Sequence, residues 1–90
     1  MTKPEIAHRA KELLISGLRL DIAPEDIVDG DAIFGSGLGL DSIDALEFVV
    51  LLEEAFGVSI PDETVAKEAL ASIDALVAFV ARERERQGLS

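Results

Sequence analysis

The chain has 90 residues, with 8 basic and 18 acidic side chains, a formal net charge of −10 and no cysteine. At this length one domain spanning residues 1–90 is expected, near the lower limit for a chain that buries its own core. The lack of cysteine excludes disulfides and thiolate metal sites. No apolar run approaches the ~20 residues that cross a bilayer, and no signal peptide is recognisable, so we expect a cytoplasmic protein without a membrane span.

The acidic residues are concentrated in the middle of the sequence. Between Arg19 and Lys67 there is no lysine or arginine. The same stretch contains twelve carboxylates: Asp21, Glu25, Asp26, Asp29, Asp31, Asp41, Asp44, Glu47, Glu53, Glu54, Asp62 and Glu63. Such a surface repels nucleic acid and attracts basic partner proteins. A solvated face that only maintains solubility is the simpler alternative. Because the acids gather around one serine, Ser42, we favour a docking surface.

The first predicted helix spans about residues 3–17, because apolar residues recur there at helical spacing. Thr2 and Glu5 have the spacing of a capping box, and Pro4 is tolerated in a first turn. The recurring apolar positions are Ile6, Ala10, Leu13, Leu14 and Leu18.

A long loop follows over residues 20–40, where Pro24 and four glycines interrupt any regular pattern. We expect one short turn at about residues 24–27. A loop of this length in a small domain is usually functional or held by its own side chains. Its expected anchors into the core are Ile22, Ile27, Ile33, Phe34 and Leu38.

The second predicted helix runs from about residue 42 to residue 56 and ends at Gly57. A spacing of i, i+4, i+7, i+11 predicts that one stripe faces the core. That inward stripe is Ala45, Val49, Leu52 and Phe56. A second stripe with the same spacing lies on another face and comprises Ile43, Glu47, Val50 and Glu54, with Leu46 and Glu53 toward one edge. Because this face mixes glutamates with hydrophobic residues, we expect it to bind a partner rather than to be buried.

Two further helices complete the predicted fold. Pro61-Asp62-Glu63 begins a short third helix of about residues 63–70, and Ser72 caps a fourth helix. The inward residues of the fourth helix are Ile73, Leu76, Val77, Phe79 and Val80. Its last turns contain Arg82, Arg84 and Arg86, where cations complement the helix dipole. No segment alternates as a strand does. The sequence therefore predicts an all-α four-helix bundle with a long loop between helices one and two and a short third helix.

The segment Gly39-Leu40-Asp41-Ser42-Ile43-Asp44 places a serine hydroxyl where a glycine-containing loop becomes a helix. Asp41 or Ser42 can cap that helix by accepting from the free amides of its first turn. A helix N-terminus also carries partial positive charge, which suits a phosphate ester. Most serines that precede helices are only caps. These six residues alone therefore leave open whether Ser42 is a helix cap or the site of a phosphate ester.

Together with Phe34-Gly35, the acidic and apolar second helix, and Ile60-Pro61-Asp62, this segment resembles the acyl carrier proteins, in the same order along the chain. In that family the serine carries a 4′-phosphopantetheine arm, so the resemblance implies Ser42 as the attachment site. It also implies that Asp41 and Asp44 help to present the serine to enzymes. Together with the exposed stripe of the second helix and its edge, the predicted docking residues are Asp41, Ile43, Asp44, Leu46, Glu47, Val50, Glu53 and Glu54.

The resemblance further implies the partners of the chain. A phosphopantetheinyl transferase would load the arm from coenzyme A, and acyl-transfer, condensing and reducing enzymes would bring basic docking patches. Fatty-acid synthesis, polyketide assembly and the loading of another acid such as an amino acid are all compatible with the sequence. A scaffold module with the carrier fold but no prosthetic group predicts the same fold and the same acidic face, and only the chemical state of Ser42 separates it from a carrier.

Catalysis by the chain itself fits less well. The glycine-rich segment 35–39 lacks the GxxxxGK[ST] signature of a phosphate loop, and the aspartates of segment 26–31 lack the spacing of a calcium loop. His8 is the only histidine and is far from Ser42 in sequence, so no Ser/His/Asp set can be assembled for a hydrolase. We therefore expect a non-catalytic, monomeric protein without a metal site, with His8 on the surface.

Overall fold

The computed structural model describes residues 2–30, 33 and 42–88, with Ser42 described through its backbone. Within these residues the chain forms α1 (Lys3–Leu18), a 3-10 turn (Pro24–Asp26), α2 (Ser42–Phe56), α3 (Glu63–Ala69) and α4 (Ile73–Arg86). The described residues contain no strand. The all-α class, the four helices, the turn near Pro24 and the short third helix are thereby confirmed.

The start of α1 has the capping box that the sequence predicts. The Thr2 hydroxyl accepts from the backbone N–H of Glu5 at 3.3 Å, and the Glu5 carboxylate accepts from the backbone N–H of Thr2 at 3.1 Å. The bond from the Thr2 backbone, with a second from its hydroxyl, lowers the pKa of the Glu5 carboxyl because both bonds favour its charged form. At the other end, Arg19 adopts a left-handed conformation with φ 56°.

The core lies between α1, α2 and α4, and α1 packs against both of the other long helices. From α1 it receives Ile6, Ala10 and Leu14. From α4 it receives all five residues predicted from the sequence, Ile73, Leu76, Val77, Phe79 and Val80. Ser72 caps α4 as predicted, because its Oγ accepts from the N–H of Ala75 at 3.1 Å.

The inward face of α2 is centred on Phe48, Leu52 and Phe56, which are all fully buried. The predicted stripe correctly included Leu52 and Phe56 but was wrong to omit Phe48 and to centre on Ala45 and Val49, which are only half-buried. The physical reason is size. Turning the helix slightly to bury the ring of Phe48 removes far more apolar surface from water than burying the methyl group of Ala45.

Two of the predicted loop anchors, Ile27 and Ile33, are buried, and Ile22 packs against the core while partly exposed. The predicted anchors Phe34 and Leu38 lie outside the described residues. These anchors hold the loop against the body of the bundle.

Two hydrogen bonds connect the same loop to the start of α4, and an ion pair connects it to α1. The backbone N–H of Asp74 donates to the carbonyl of Asp29 at 2.9 Å, and the N–H of Ile33 donates to the carbonyl of Ala71 at 3.2 Å. The Asp29 carboxylate also forms an ion pair with Lys11 of α1. The loop therefore covers the N-terminal end of α4.

Arg84 joins the C-terminal ends of α2 and α4. Its Nη1 donates to the carbonyl of Phe56 at 2.7 Å, and the side chain is half-buried. The last carbonyls of a helix have no partner within the helix, and a cation there also complements the dipole. The arginines were predicted to act on their own helix, so this bond between helices is an additional finding. Gly57 ends α2 with φ 67°, as a left-handed C-terminal glycine does.

We predict that Phe48→Ala lowers the free energy of unfolding by about 3–5 kcal/mol, because it leaves a cavity in the centre of the core. Val50→Ala on the opposite side of α2 should change it by less than about 1 kcal/mol, since half of this side chain is in solvent. Urea unfolding followed by circular dichroism measures both. Equal effects of the two substitutions would mean that the orientation of α2 is wrong.

Candidate functional site

α2 begins at Ser42, so the serine selected from the sequence lies at the N-terminal end of a helix of 15 residues. Unpaired amides and partial positive charge at such an end stabilise a phosphate ester. Asp44 lies in the first turn, where its charge favours the dipole. Asp41 and the side chain of Ser42 lie outside the described part of the structure, so the predicted cap stays a prediction.

Three large apolar side chains of α2 face solvent. Ile43, Leu46 and Val50 are 68%, 67% and 51% exposed. Their spacing of i, i+3, i+7 puts them on one side of the helix, beginning directly after Ser42. We call these three residues the apolar face of α2. Exposed apolar residues grouped in this way are typical of a surface that binds another protein.

Carboxylates accompany the apolar face but differ in their surroundings. Glu47 and Glu54 are exposed, whereas Asp44 and Glu53 are half-buried. The Oε2 of Glu53 accepts from the backbone N–H of Ile60 at 2.8 Å. The structure thus brings seven of the eight predicted docking residues together on one helix, and the eighth, Asp41, lies outside the described residues.

The sequence gave no signal of the bond between Glu53 and Ile60. Helical spacing placed Glu53 at the edge of the exposed stripe, and a glutamate there is ordinarily a solvated charge. The partner is a backbone amide seven residues farther on, beyond the end of the helix, so only the course of the chain after Gly57 brings the two together.

The electrostatic character of this side of the molecule is strongly negative. From Ser42 to Ala66 the sequence contains six acids and no lysine or arginine. Two cations of the flanking helices are engaged elsewhere, since Lys11 pairs with Asp29 and Arg84 binds the carbonyl of Phe56. A positively charged partner surface would be attracted to α2 over a distance set by the ionic strength.

Other features of the described residues offer little chemistry. They contain no group of three or more His, Cys, Asp or Glu side chains arranged to hold a metal ion. The side chain of His8 is 67% exposed and lies 3.5 Å from Glu12, which confirms its predicted surface position. In the part of the chain that the structure describes, no helix is both long and apolar enough to cross a membrane.

A groove of about 530 Å³ lies between α3, α4 and the segment that joins α2 to α3. Its lining contains two arginines, Arg82 and Arg86, and two glutamates, Glu68 and Glu83, so it has no net charge. None of the predicted docking residues lines it. The groove and the apolar face of α2 are therefore separate features.

Comparison with known proteins decides the family. Residues 16–80 match the family model described as a phosphopantetheine attachment site. The chain belongs to the acyl carrier protein family. An acyl carrier protein of Rhodopseudomonas palustris (strain BisB18) is 44% identical over 59 residues, which cover 66% of this chain and 71% of that protein. One from Thermosynechococcus vestitus is 40% identical over 67 residues, covering 74% and 79%.

The fold agrees with this membership. The solved structure of the acyl carrier protein from Enterococcus faecalis matches with a TM-score of 0.72 and 29% identity, over 92% of this chain and 99% of that chain. The predicted family is thus confirmed, and so is the covalent 4′-phosphopantetheine as the prosthetic group, because the family model describes its attachment site. Ser42 at the start of a long helix suits that group, since the helix end favours its phosphate.

We predict that salt stabilises this acyl carrier protein. Raising the ionic strength from about 0.01 M to 0.15 M shortens the Debye length from roughly 30 Å to 8 Å, which weakens the repulsion among the acids. The midpoint of thermal unfolding should rise by several degrees, on the order of 1 kcal/mol of stability. The double variant Glu47→Gln/Glu54→Gln should show a smaller rise. A midpoint that does not depend on salt would exclude repulsion as a determinant of stability.

Proposed function

We propose that this chain is a non-catalytic acyl carrier that works as a monomer in the cytoplasm. In this proposal it holds acyl groups as thioesters on a 4′-phosphopantetheine arm attached to Ser42, for fatty-acid or polyketide biosynthesis. The observation that carries the proposal is the position of Ser42 at the N-terminal end of α2, directly before an exposed apolar face and within the matched residues 16–80.

Ser72 is the other serine at the start of a long helix, and its surroundings argue against it as the attachment site. Its hydroxyl is already the N-cap of α4 and is half-buried. The loop after α1 also lies over that helix end, where the Asp29 carbonyl accepts from the N–H of Asp74. A transferase would therefore have to displace this loop to reach Ser72.

The Ser42 hydroxyl oxygen attacks the coenzyme A phosphorus that bears pantetheine and forms a phosphodiester, while the pyrophosphate bond breaks and adenosine 3′,5′-bisphosphate leaves. A separate phosphopantetheinyl transferase provides the base that takes the serine proton and the Mg²⁺. When attached, the arm offers a terminal thiol for acyl groups. The chain itself contributes the helix end that stabilises the phosphate. It also contributes the surface of α2 that enzymes bind. With one histidine, on α1, it offers no evident base for chemistry of its own at Ser42.

The docking surface that we propose is the apolar face of α2 with its neighbouring acids. Ile43, Leu46 and Val50 would lie against an apolar patch of the partner. Glu47 and Glu54 would attract its lysine and arginine residues and raise the association rate. Asp41 and Asp44 complete this proposed surface. Glu53, the remaining acid of the set predicted from the sequence, lies at its edge with Oε2 bound to the backbone N–H of Ile60. The partners in this proposal are the transferase and acyl-transfer, condensing and reducing enzymes with basic patches.

We predict that a broad-specificity phosphopantetheinyl transferase with coenzyme A and Mg²⁺ adds one phosphopantetheinyl group to the protein. Ser42→Ala should abolish the addition, because it removes the acceptor oxygen. Intact-mass spectrometry measures the product, and Ser36→Ala, six positions earlier in the sequence, is the matched control that should load as the parent does. If several transferases leave the parent unmodified, the protein is a scaffold module with the carrier fold.

We also predict that Glu47→Lys and Val50→Asp each lower kcat/KM for loading by roughly tenfold while the helical circular dichroism spectrum is kept. Glu47→Lys should act through slower association that depends less on salt. Val50→Asp should weaken the bound complex, because it places a charge against an apolar patch.

The controls are equally exposed positions elsewhere in the chain. Glu85→Lys on α4 makes the same change of charge, and Val28→Asp makes the same change of side chain in the loop, where Val28 is 58% exposed. Both controls should load within about twofold of the parent. Equal losses in the controls and in the α2 variants would mean that the transferase does not bind α2.

A further inference from the structure

The side chain of Glu53 differs from those of Glu47 and Glu54 on the same helix, because it has a partner within the chain. Its Oε2 accepts from the backbone N–H of Ile60 at 2.8 Å, in a partly buried setting. The adjacent Glu54 is exposed. These two neighbouring glutamates therefore form a natural pair for comparison, one directed to the chain and one directed to solvent.

The partner of Glu53 lies in the segment that connects α2 to α3, residues 57–62. Val58 and Ile60 in this segment are buried, whereas Ser59 and Pro61 between and after them are exposed. A buried backbone N–H without an acceptor is costly, so a segment that enters the core must satisfy its amides. Glu53 supplies the acceptor for Ile60, and a charged acceptor makes the bond stronger than a neutral one would.

The bond fixes where the chain goes after α2. Asp62 and Glu63 follow Ile60 after one intervening residue, Pro61, and are both exposed. Asp62 caps α3 by accepting from the N–H of Val65 at 2.9 Å. Holding Ile60 against α2 therefore sets where α3 starts, and with it the place of two more acids relative to Glu47 and Glu54. A glutamate that left Ile60 to bind a partner's cation would abandon a buried amide.

We propose that Glu53 is a positioning residue that holds residues 57–62 in place through its hydrogen bond from the N–H of Ile60. It supports partner binding by fixing the positions of Asp62 and Glu63 and not through its own charge. This inference rests on the proposed function, and it gives Glu53 a structural role, in contrast to the exposed Glu47 and Glu54, whose charges bind the partner directly.

Two substitutions at Glu53 separate charge from hydrogen bonding. Glu53→Gln removes the charge and keeps an oxygen that accepts from Ile60, whereas Glu53→Ala removes both. Glu54→Gln and Glu54→Ala are the matched controls on the adjacent, exposed position. Two measurements apply to all four variants of the full chain: amide hydrogen exchange at Ile60 in the unmodified protein, and kcat and KM for loading by a phosphopantetheinyl transferase.

Glu53→Ala should speed exchange at Ile60 by about tenfold or more and raise KM for loading, while Glu53→Gln should stay within roughly threefold of the parent in both. Glu54→Gln and Glu54→Ala should leave amide exchange at Ile60 unchanged. Both should raise KM for loading by the same factor, because at position 54 the charge itself binds the partner. The inference is overturned if Glu53→Ala leaves Ile60 protected, or if Glu53→Gln raises KM as much as Glu54→Gln does. Amide exchange at Ile60 does not depend on loading, so it tests the hydrogen bond between Glu53 and Ile60 even if no transferase modifies the protein.

Discussion

Burial of Phe48, Leu52 and Phe56 is the interaction on which the rest of the structure depends. Removing each of these side chains from water contributes about 1.5–3 kcal/mol, a large share of the 5–15 kcal/mol that typically stabilises a domain. The three residues also set the rotation of α2 about its axis. Because successive residues of a helix turn by a fixed angle, the apolar residues on the other side, such as Ile43 and Leu46, have no place in the core. The exposed apolar face is thus a consequence of how the core is filled.

The hydrogen bonds and the turn described above that hold α2 in place lie toward its C-terminal end, away from Ser42. Arg84 holds the carbonyl of Phe56, Glu53 holds the amide of Ile60, and Gly57 ends the helix with a left-handed turn. Secured there, the helix keeps the exposed side chains near its N-terminal end, such as Ile43 and Leu46, in a fixed orientation. This arrangement suits a carrier, since a group that must meet several enzymes needs a rigid base and an open approach.

Features that depend on near neighbours in sequence were predictable here, and features that depend on the path of the chain were not. The capping box at Thr2 and the cap at Ser72 follow from residues three apart, and the boundary at Ser42 follows from a short motif. The orientation of α2 was predicted only approximately, because periodicity allows neighbouring rotations and side-chain size decides among them. The contact between Arg84 and Phe56 joins residues 28 positions apart, so no local pattern could indicate it.

The path of the chain also determines which of the many acidic side chains stabilise the fold and which stay available for binding a partner. An acid whose carboxylate binds a donor of its own chain in a partly buried position becomes part of the fold: Asp29 pairs with Lys11, and Glu53 accepts from the backbone N–H of Ile60. An acid that stays exposed, as Glu47 and Glu54 do, keeps its full interaction with a partner's cations and contributes repulsion until a partner arrives. The sequence reveals how many acids there are, whereas only the positions of the donors reveal which of them remain available. Binding of a basic enzyme would relieve that repulsion, so under the proposed function part of the attraction between carrier and enzyme would originate in the repulsion among the carrier's own charges.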